Sequence, residues 1–137
     1  MATKLTKETI MMIGACIMIG SLIIGVGAYD LKHKRRDTKV ASLLTDGEPM
    51  RAPVLMRRYG CTGCHTVPGL PGAQGKVGGS LAGLRERVYI AGVLNNTSDN
   101  LVAWMMSPQT FSSKTAMPAT GINRAEAQDV AAYLYAQ

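Results

Sequence analysis

Apolar positions fall into two regimes along the chain. From Ile10 to Tyr29 the sequence reads IMMIGACIMIGSLIIGVGAY, twenty residues without a charge, fifteen of them hydrophobic. At about 1.5 Å per residue this run makes about 30 Å of helix, the thickness of a bilayer core. The spacing predicts one helix from Lys4 to about Arg36, so that residues 1–36 form an N-terminal membrane anchor. Residues 37–49 read as a linker, with Asp46, Gly47 and Pro49 as its breakers. Beyond it the apolar runs are short and amphipathic. Arg51–Tyr59 predicts a short helix, with Pro53 tolerable only near its first turn. Thr66–Ser80 is dense in Gly and Pro and predicts a loop. Asp99–Ser107 predicts a helix stopped by Pro108. Arg124–Ala136 predicts the closing helix, with Ala127, Val130, Ala131 and Leu134 at i, i+3, i+4, i+7. Asn123 is its N-cap, with Glu126 three residues on, an imperfect capping box. The expected fold class is all-α: a single N-terminal transmembrane helix followed by a small helical domain over residues 50–137.

Length and charge narrow this picture. At 137 residues the chain fits one domain plus an appendage and excludes a multidomain enzyme. Charged residues make up 18%, which argues against disorder as the overall state. The total is 47% hydrophobic, but without the apolar run the remainder is about 42%, ordinary for a soluble domain. A net charge of +6 raises nucleic acid as a partner. Half of that excess lies in residues 30–39, DLKHKRRDTK, whereas the chain from residue 46 onward carries only +2. No nucleic-acid partner is expected from a domain so nearly neutral.

The apolar run is longer than a secretory h-region of about 7–15 residues. Ile13-Gly14-Ala15-Cys16 has the look of a lipoprotein cleavage box, but the apolar stretch before it is too short. The run therefore reads as a retained anchor in a lipid bilayer. Gly14, Ser21, Gly25 and Ala28 lie along one helix face that a second membrane helix could approach closely, although Gly is common in membrane helices generally. Cys16 reads as a small apolar filler. The positive-inside rule would put Lys32, Lys34, Arg35, Arg36 and Lys39 in the cytoplasm. The motif that follows argues for the opposite orientation.

Cys61-Thr62-Gly63-Cys64-His65 is a CxxCH, the attachment pattern for c-type haem. Two thiols separated by two residues reach the two vinyl groups of one haem, and the next His is carried under the ring as proximal ligand. The competing readings fare worse. A zinc site wants two more Cys or His, and a thioredoxin-like CxxC wants a βαβ pattern that is not visible. For the sixth ligand the candidates are Met105, Met106, Met117 and His33. Met105 and Met106 fall in a helical segment and read as core. Met117 lies in SSKTAMP, a stretch without helical period, and a loop can wrap the haem edge. Met117 is therefore the expected distal ligand, and His65 and Met117 the metal ligands.

At this point the chain resembles a known family. Residues 50–137 are similar to a class I cytochrome c, through CTGCHTVPG, KVGGSLAGLRER, WMMSPQ, TAMPATGI and AAYLYA. The combination of YGCTGCHTVPGLPGA, RVYIAGVLNNT, NLVAWMMSPQ, TAMP and AAYLY resembles bacterial membrane-anchored cytochromes associated with haem-copper terminal oxidases. The resemblance implies thioether bonds at Cys61 and Cys64, His65 as proximal and Met117 as distal ligand, and one covalently attached haem c. It puts Arg87 near a haem propionate, where a solvated surface charge is the alternative. It puts Trp104 on the pocket wall near the distal Met, where plain core is the alternative. The family usually has Gly-Pro where this chain has Gly78-Gly79. A Gly carbonyl would then have to accept the His65 Nδ1 proton.

The resemblance implies one-electron transfer in a respiratory chain, to a terminal oxidase or as its accessory subunit, by a carrier that is not itself an enzyme. Attachment of c-type haem outside the cytoplasm implies a periplasmic domain on a single-pass inner-membrane anchor. The basic segment at Lys32–Lys39 then docks on oxidase subunits, or snorkels among lipid headgroups. A haem-based gas or redox sensor with displaceable Met117, and thiol–disulfide exchange by Cys61 and Cys64, are the alternatives.

Overall fold

The structure, a computed structural model, describes residues 6–137. The expected helix start at Lys4 lies outside the described residues. Two compact units meet between Arg35 and Arg36.

Helix α1 spans Lys7–Thr45, 39 residues. Its apolar stretch contains no Pro, and every large hydrophobic side chain from Ile10 to Leu31 is exposed. Consecutive residues such as Ile10, Met11, Met12 and Ile13 cover every face of the helix, so no single stripe could be satisfied by a soluble core. The helix is long and apolar enough to cross a membrane.

The expected helix end at Arg36 needs correction. Residues 37–45 of the expected linker are helical, and they belong to the second unit. The stretch DTKVASLLT has no breaker, and its tertiary contacts favour continuing the helix. Ala41 and Thr45, one turn apart, are buried, and Thr45 Oγ1 donates to the Ala41 carbonyl at 2.8 Å. The helix ends at Asp46, which has left-handed φ of 54°. Gly47 follows against the backbone of the last helix, where an added Cβ would fall 2.7 Å from Asp129 N.

Pro49–Arg51 forms a 3₁₀ turn that runs into α2, Ala52–Arg58, with Ala52, Leu55 and Met56 buried. Pro53 sits in the first turn of α2, where it removes no helical hydrogen bond. Helix α3, Cys61–Cys64, is a single turn made by the motif itself. The Gly-rich stretch after it is irregular apart from one bridge between Thr66 and Gln74.

A further 3₁₀ turn, Leu84–Glu86, precedes an antiparallel hairpin of β1, Tyr89–Ile90, and β2, Leu94–Asn95. The all-α expectation omitted this hairpin. Two residues per strand are too few to show a period, and its turn places Ala91 at φ 49° and Gly92 at φ 74°.

Helix α4, Ser98–Met106, is capped by Thr97, whose hydroxyl accepts from Asn100 N at 3.2 Å. Pro108 ends it and opens a separate turn, α5, Pro108–Phe111. Helix α6, Arg124–Tyr135, has a complete capping box rather than an imperfect one. The Asn123 amide oxygen accepts from Glu126 N at 2.9 Å, and Glu126 Oε2 accepts from Asn123 N at 3.5 Å. The expected face Ala127, Val130, Ala131 and Leu134 is buried, and Asp129, Ala132 and Tyr135 are buried beside it. Helix α6 needs this wider buried surface because it packs on α2, α4 and both 3₁₀ turns. Its Asp129 carboxylate accepts from Glu48 N at 2.6 Å and lies 3.8 Å from Arg51.

Candidate cofactor site

Helices α2, α4 and α6 leave between them, with the motif and the loops, a cleft of about 340 Å³. Its apolar lining includes Met56, Leu84, Leu101, Val130 and Leu134. Cys61, Cys64, His65, Arg87, Trp104 and Met117 all line it, so the residues read from the sequence as site candidates share one cavity.

The single turn of α3 determines how the motif presents its groups. Cys61 and Cys64 stand three residues apart, hence on one face of the turn. Both are half-buried and free of disulfide. Burial pushes the Cys61 thiol up, and the neighbouring Cys64 adds to this against a lowering backbone hydrogen bond.

His65 leaves the helical turn in extended conformation, its N–H donating to the Cys61 carbonyl at 2.9 Å. Its Nδ1 lies 2.7 Å from the Gly79 carbonyl. A carbonyl can only accept, so Nδ1 carries the proton and the Nε2 lone pair is left for a metal. The Gly carbonyl expected to accept from His65 is that of Gly79.

The glycines of the following loop lie against the motif. A Cβ on Gly78 would stand 2.6 Å from His65 Nδ1 and 2.8 Å from Nε2. A Cβ on Gly75 would stand 2.7 Å from Cys64 N. Gly78 N donates to the Cys64 carbonyl at 2.8 Å, which pins the loop there.

Met117 is half-buried and packs on the core cluster. Trp104, buried on α4, points its Nε1 at Met117 Sδ, 3.1 Å away. Gln109 Nε2 donates to the Met117 carbonyl at 2.7 Å. Met105 is buried in the core and also lines the cleft, whereas Met106 packs on the core's margin. His33 belongs to the first unit, with its ring 6.2 Å from that of Tyr29. Arg87 is exposed, but its charged head is tied to the backbone. Its guanidinium donates to the Ser80 carbonyl at 2.5 Å and the Ala82 carbonyl at 2.8 Å.

Sequence reading missed several members of the site. Gln109 falls in the WMMSPQ stretch but had no role read for it, and Gly75 lies outside the quoted stretches. Tyr59 lines the cleft two residues before the motif, and its hydroxyl donates to Glu126 at 2.6 Å. That bond to a carboxylate, reinforced by partial desolvation and the Glu126 charge, holds the phenol above its usual range, with Arg58 opposing. Asn96 ties three elements together. It donates to the Leu84 and Arg87 carbonyls at 2.7 and 2.8 Å and accepts from Tyr135 at 2.7 Å.

Two thiols on one face, an imidazole whose Nδ1 is turned to a backbone carbonyl and a thioether in one largely apolar cleft are the donor set that a c-type haem requires. The fold and cleft thus define a helical haem domain. Residues 51–136 match the cytochrome c family, and the chain belongs to it. It is a class I c-type domain behind a long apolar helix, and the family implies haem c and electron transfer. A 59-residue stretch is 41% identical to cytochrome c oxidase subunit 2 of Alkalihalophilus pseudofirmus. That match covers 43% of this chain and 16% of that subunit. No solved structure matches the chain.

Proposed function

We propose that the protein is a membrane-tethered monohaem cytochrome c that passes single electrons along a respiratory chain. It delivers them to a terminal oxidase, or serves as that oxidase's accessory subunit. The observation that carries this reading is the meeting of Cys61, Cys64, His65 and Met117 in one apolar cleft. The likeness to an oxidase subunit supports the choice of partner.

In this reading Cys61 and Cys64 would hold one haem through thioether bonds, and His65 Nε2 and Met117 Sδ would bind its iron. The haem supplies a ferric–ferrous couple, whose potential a soft thioether ligand raises. Gly79 orients His65 through its Nδ1, most of the lining is apolar, and an iron held by both His65 and Met117 would leave no place for a substrate. The chain is then a carrier and not an enzyme. Arg87, already bound to two carbonyls, has further donors for a propionate. Trp104 walls the cleft beside Met117.

Residues 1–36 anchor the chain, residues 50–137 form the haem domain, and that domain faces the periplasm on a single-pass inner-membrane helix. Helix α1 and the basic residues Lys32, Lys34, Arg35, Arg36 and Lys39 meet the oxidase subunits and the lipid headgroups. A reduced-minus-oxidised spectrum of the purified protein tests the central claim. A narrow low-spin α band unchanged by carbon monoxide is expected, with the haem remaining on the denatured chain. A large carbon monoxide shift would instead establish a gas-binding module, and no haem spectrum a thiol function. Replacing Met117 by Ala should abolish the weak sulfur-to-iron band, and persistence of the band would reject Met117 as ligand. Co-elution of oxidase subunits in mild detergent tests the partner.

A further inference from the structure

The segment between α5 and α6 contains no regular element among the described residues, yet it has to present Met117 to the cleft. Its own backbone supplies little: Thr115 N donates to the Ser112 carbonyl at 3.1 Å, and Met117 N reaches only Thr115 Oγ1 at 3.3 Å. The main-chain carbonyl of Met117 is held from outside the segment, by Gln109 Nε2 at 2.7 Å. Gln109 stands beside Pro108, which is buried and opens α5, so the backbone that carries the donor is fixed by packing. Gln109 itself is exposed and fills no space in the core.

We propose that Gln109 is a positioning residue for Met117: by tying the Met117 carbonyl to the start of α5, it keeps the thioether in the cleft and slows its replacement by external ligands. The proposal rests on the reading of Met117 as an iron ligand given above. A competing ligand gains access when the segment opens locally, and the rate of access follows the population of the open form. Opening breaks the Gln109 bond, and water then satisfies the carbonyl. Losing one exposed hydrogen bond of this kind raises the open population by about two- to fivefold. Trp104 contacts the sulfur but is buried in the core, so its replacement would mix packing with positioning.

The test uses the full-length ferric protein in detergent with imidazole as the competing ligand, following loss of the sulfur-to-iron band. Gln109→Leu, which keeps the bulk and removes the donor, is expected to speed that loss by about two- to fivefold. Gln109→Lys, which restores a donor of similar reach, is expected to return the rate towards that of the unsubstituted protein. Thermal midpoints are expected to agree among the three within the shift that a single surface substitution causes. Equal imidazole rates in Gln109→Leu and the parent overturn the proposal, as does an equal acceleration in Gln109→Lys. If the parent shows no sulfur-to-iron band, the reading of Met117 as ligand fails, and the positioning role with it. A band in the parent combined with equal rates overturns the role of Gln109 alone.

Discussion

At His65 three local constraints meet: the motif turn delivers its backbone, the Gly79 carbonyl fixes its proton, and the missing side chain of Gly78 leaves room for its ring. The two glycines differ in what they tolerate. Gly78→Ala forces a methyl into the imidazole, and overpacking of this kind costs about 1–3 kcal/mol. We expect Gly78→Ala to lower the yield of haem-loaded protein and the thermal midpoint together, with absorbance per polypeptide as the measure. A Cβ on Gly79 would meet no protein atom within 4 Å, and its φ lies outside the left-handed region. Gly79→Ala is therefore expected to destabilise less than Gly78→Ala, because its methyl would not meet the imidazole. Denaturant unfolding of the pair would separate them, and equal effects would contradict the contact geometry.

Among the elements, α6 holds the domain together. Its N-terminus is secured by the Asn123–Glu126 box, and Glu126 also takes the Tyr59 hydroxyl and faces Arg58 at 3.4 Å. Asn123→Ala should cost about 1 kcal/mol, the usual loss for an N-cap. For a domain of this size that is about 4–8 °C in thermal midpoint. A change below about 1 °C would mean that packing against α2 and α4 alone sets the helix start. The hairpin and α5 illustrate the opposite dependence. Neither has a period long enough to read, and both lie against a neighbouring element: β1 packs on α4, and α5 packs on α4 with Pro108 buried.

For the whole molecule, alkaline pH and haem removal are the informative perturbations. Tyr59 is held above its usual range by its bond to Glu126, and Tyr133 and Tyr135 chiefly by burial, each relative to 10.0. The folded state thus favours the neutral phenols. Their contribution is fully present below the unfolded value and is lost as pH rises through the raised folded values. Stability should accordingly fall from about pH 10 upward, and Tyr135→Phe should flatten that fall. An unfolding series across that range that shows no slope would reject it. The second perturbation concerns the core. Its largest fully buried side chains are Met56, Val102 and Val130, and the cleft is lined by core residues. A domain this small has little burial to spare when such a cleft is left unfilled. Haem-free protein is expected to be largely unfolded in its second unit, and circular dichroism showing native helix content there would refute it.

The sequence by itself determined what depends on neighbours a few residues apart. Twenty uncharged residues specify a helix long and apolar enough to cross a membrane, the CxxCH puts its two thiols on one turn, and the i, i+3, i+4, i+7 face of α6 specifies which side is buried. Each is legible because helix geometry turns short spacing into a shared face. What tertiary structure decided depends on residues distant in the chain. The breakers at Asp46, Gly47 and Pro49 mark where α1 stops, but that residues 37–45 before them are helical was not legible, because it depends on burial of Ala41 and Thr45. Arg87 carried no sign that it would bridge two loop carbonyls, and Gln109 none that it would hold Met117. A hydrogen bond between a side chain and a particular carbonyl has no period. It exists only once folding has brought the two within 3 Å, and in this protein such contacts hold the segments around the cleft in place.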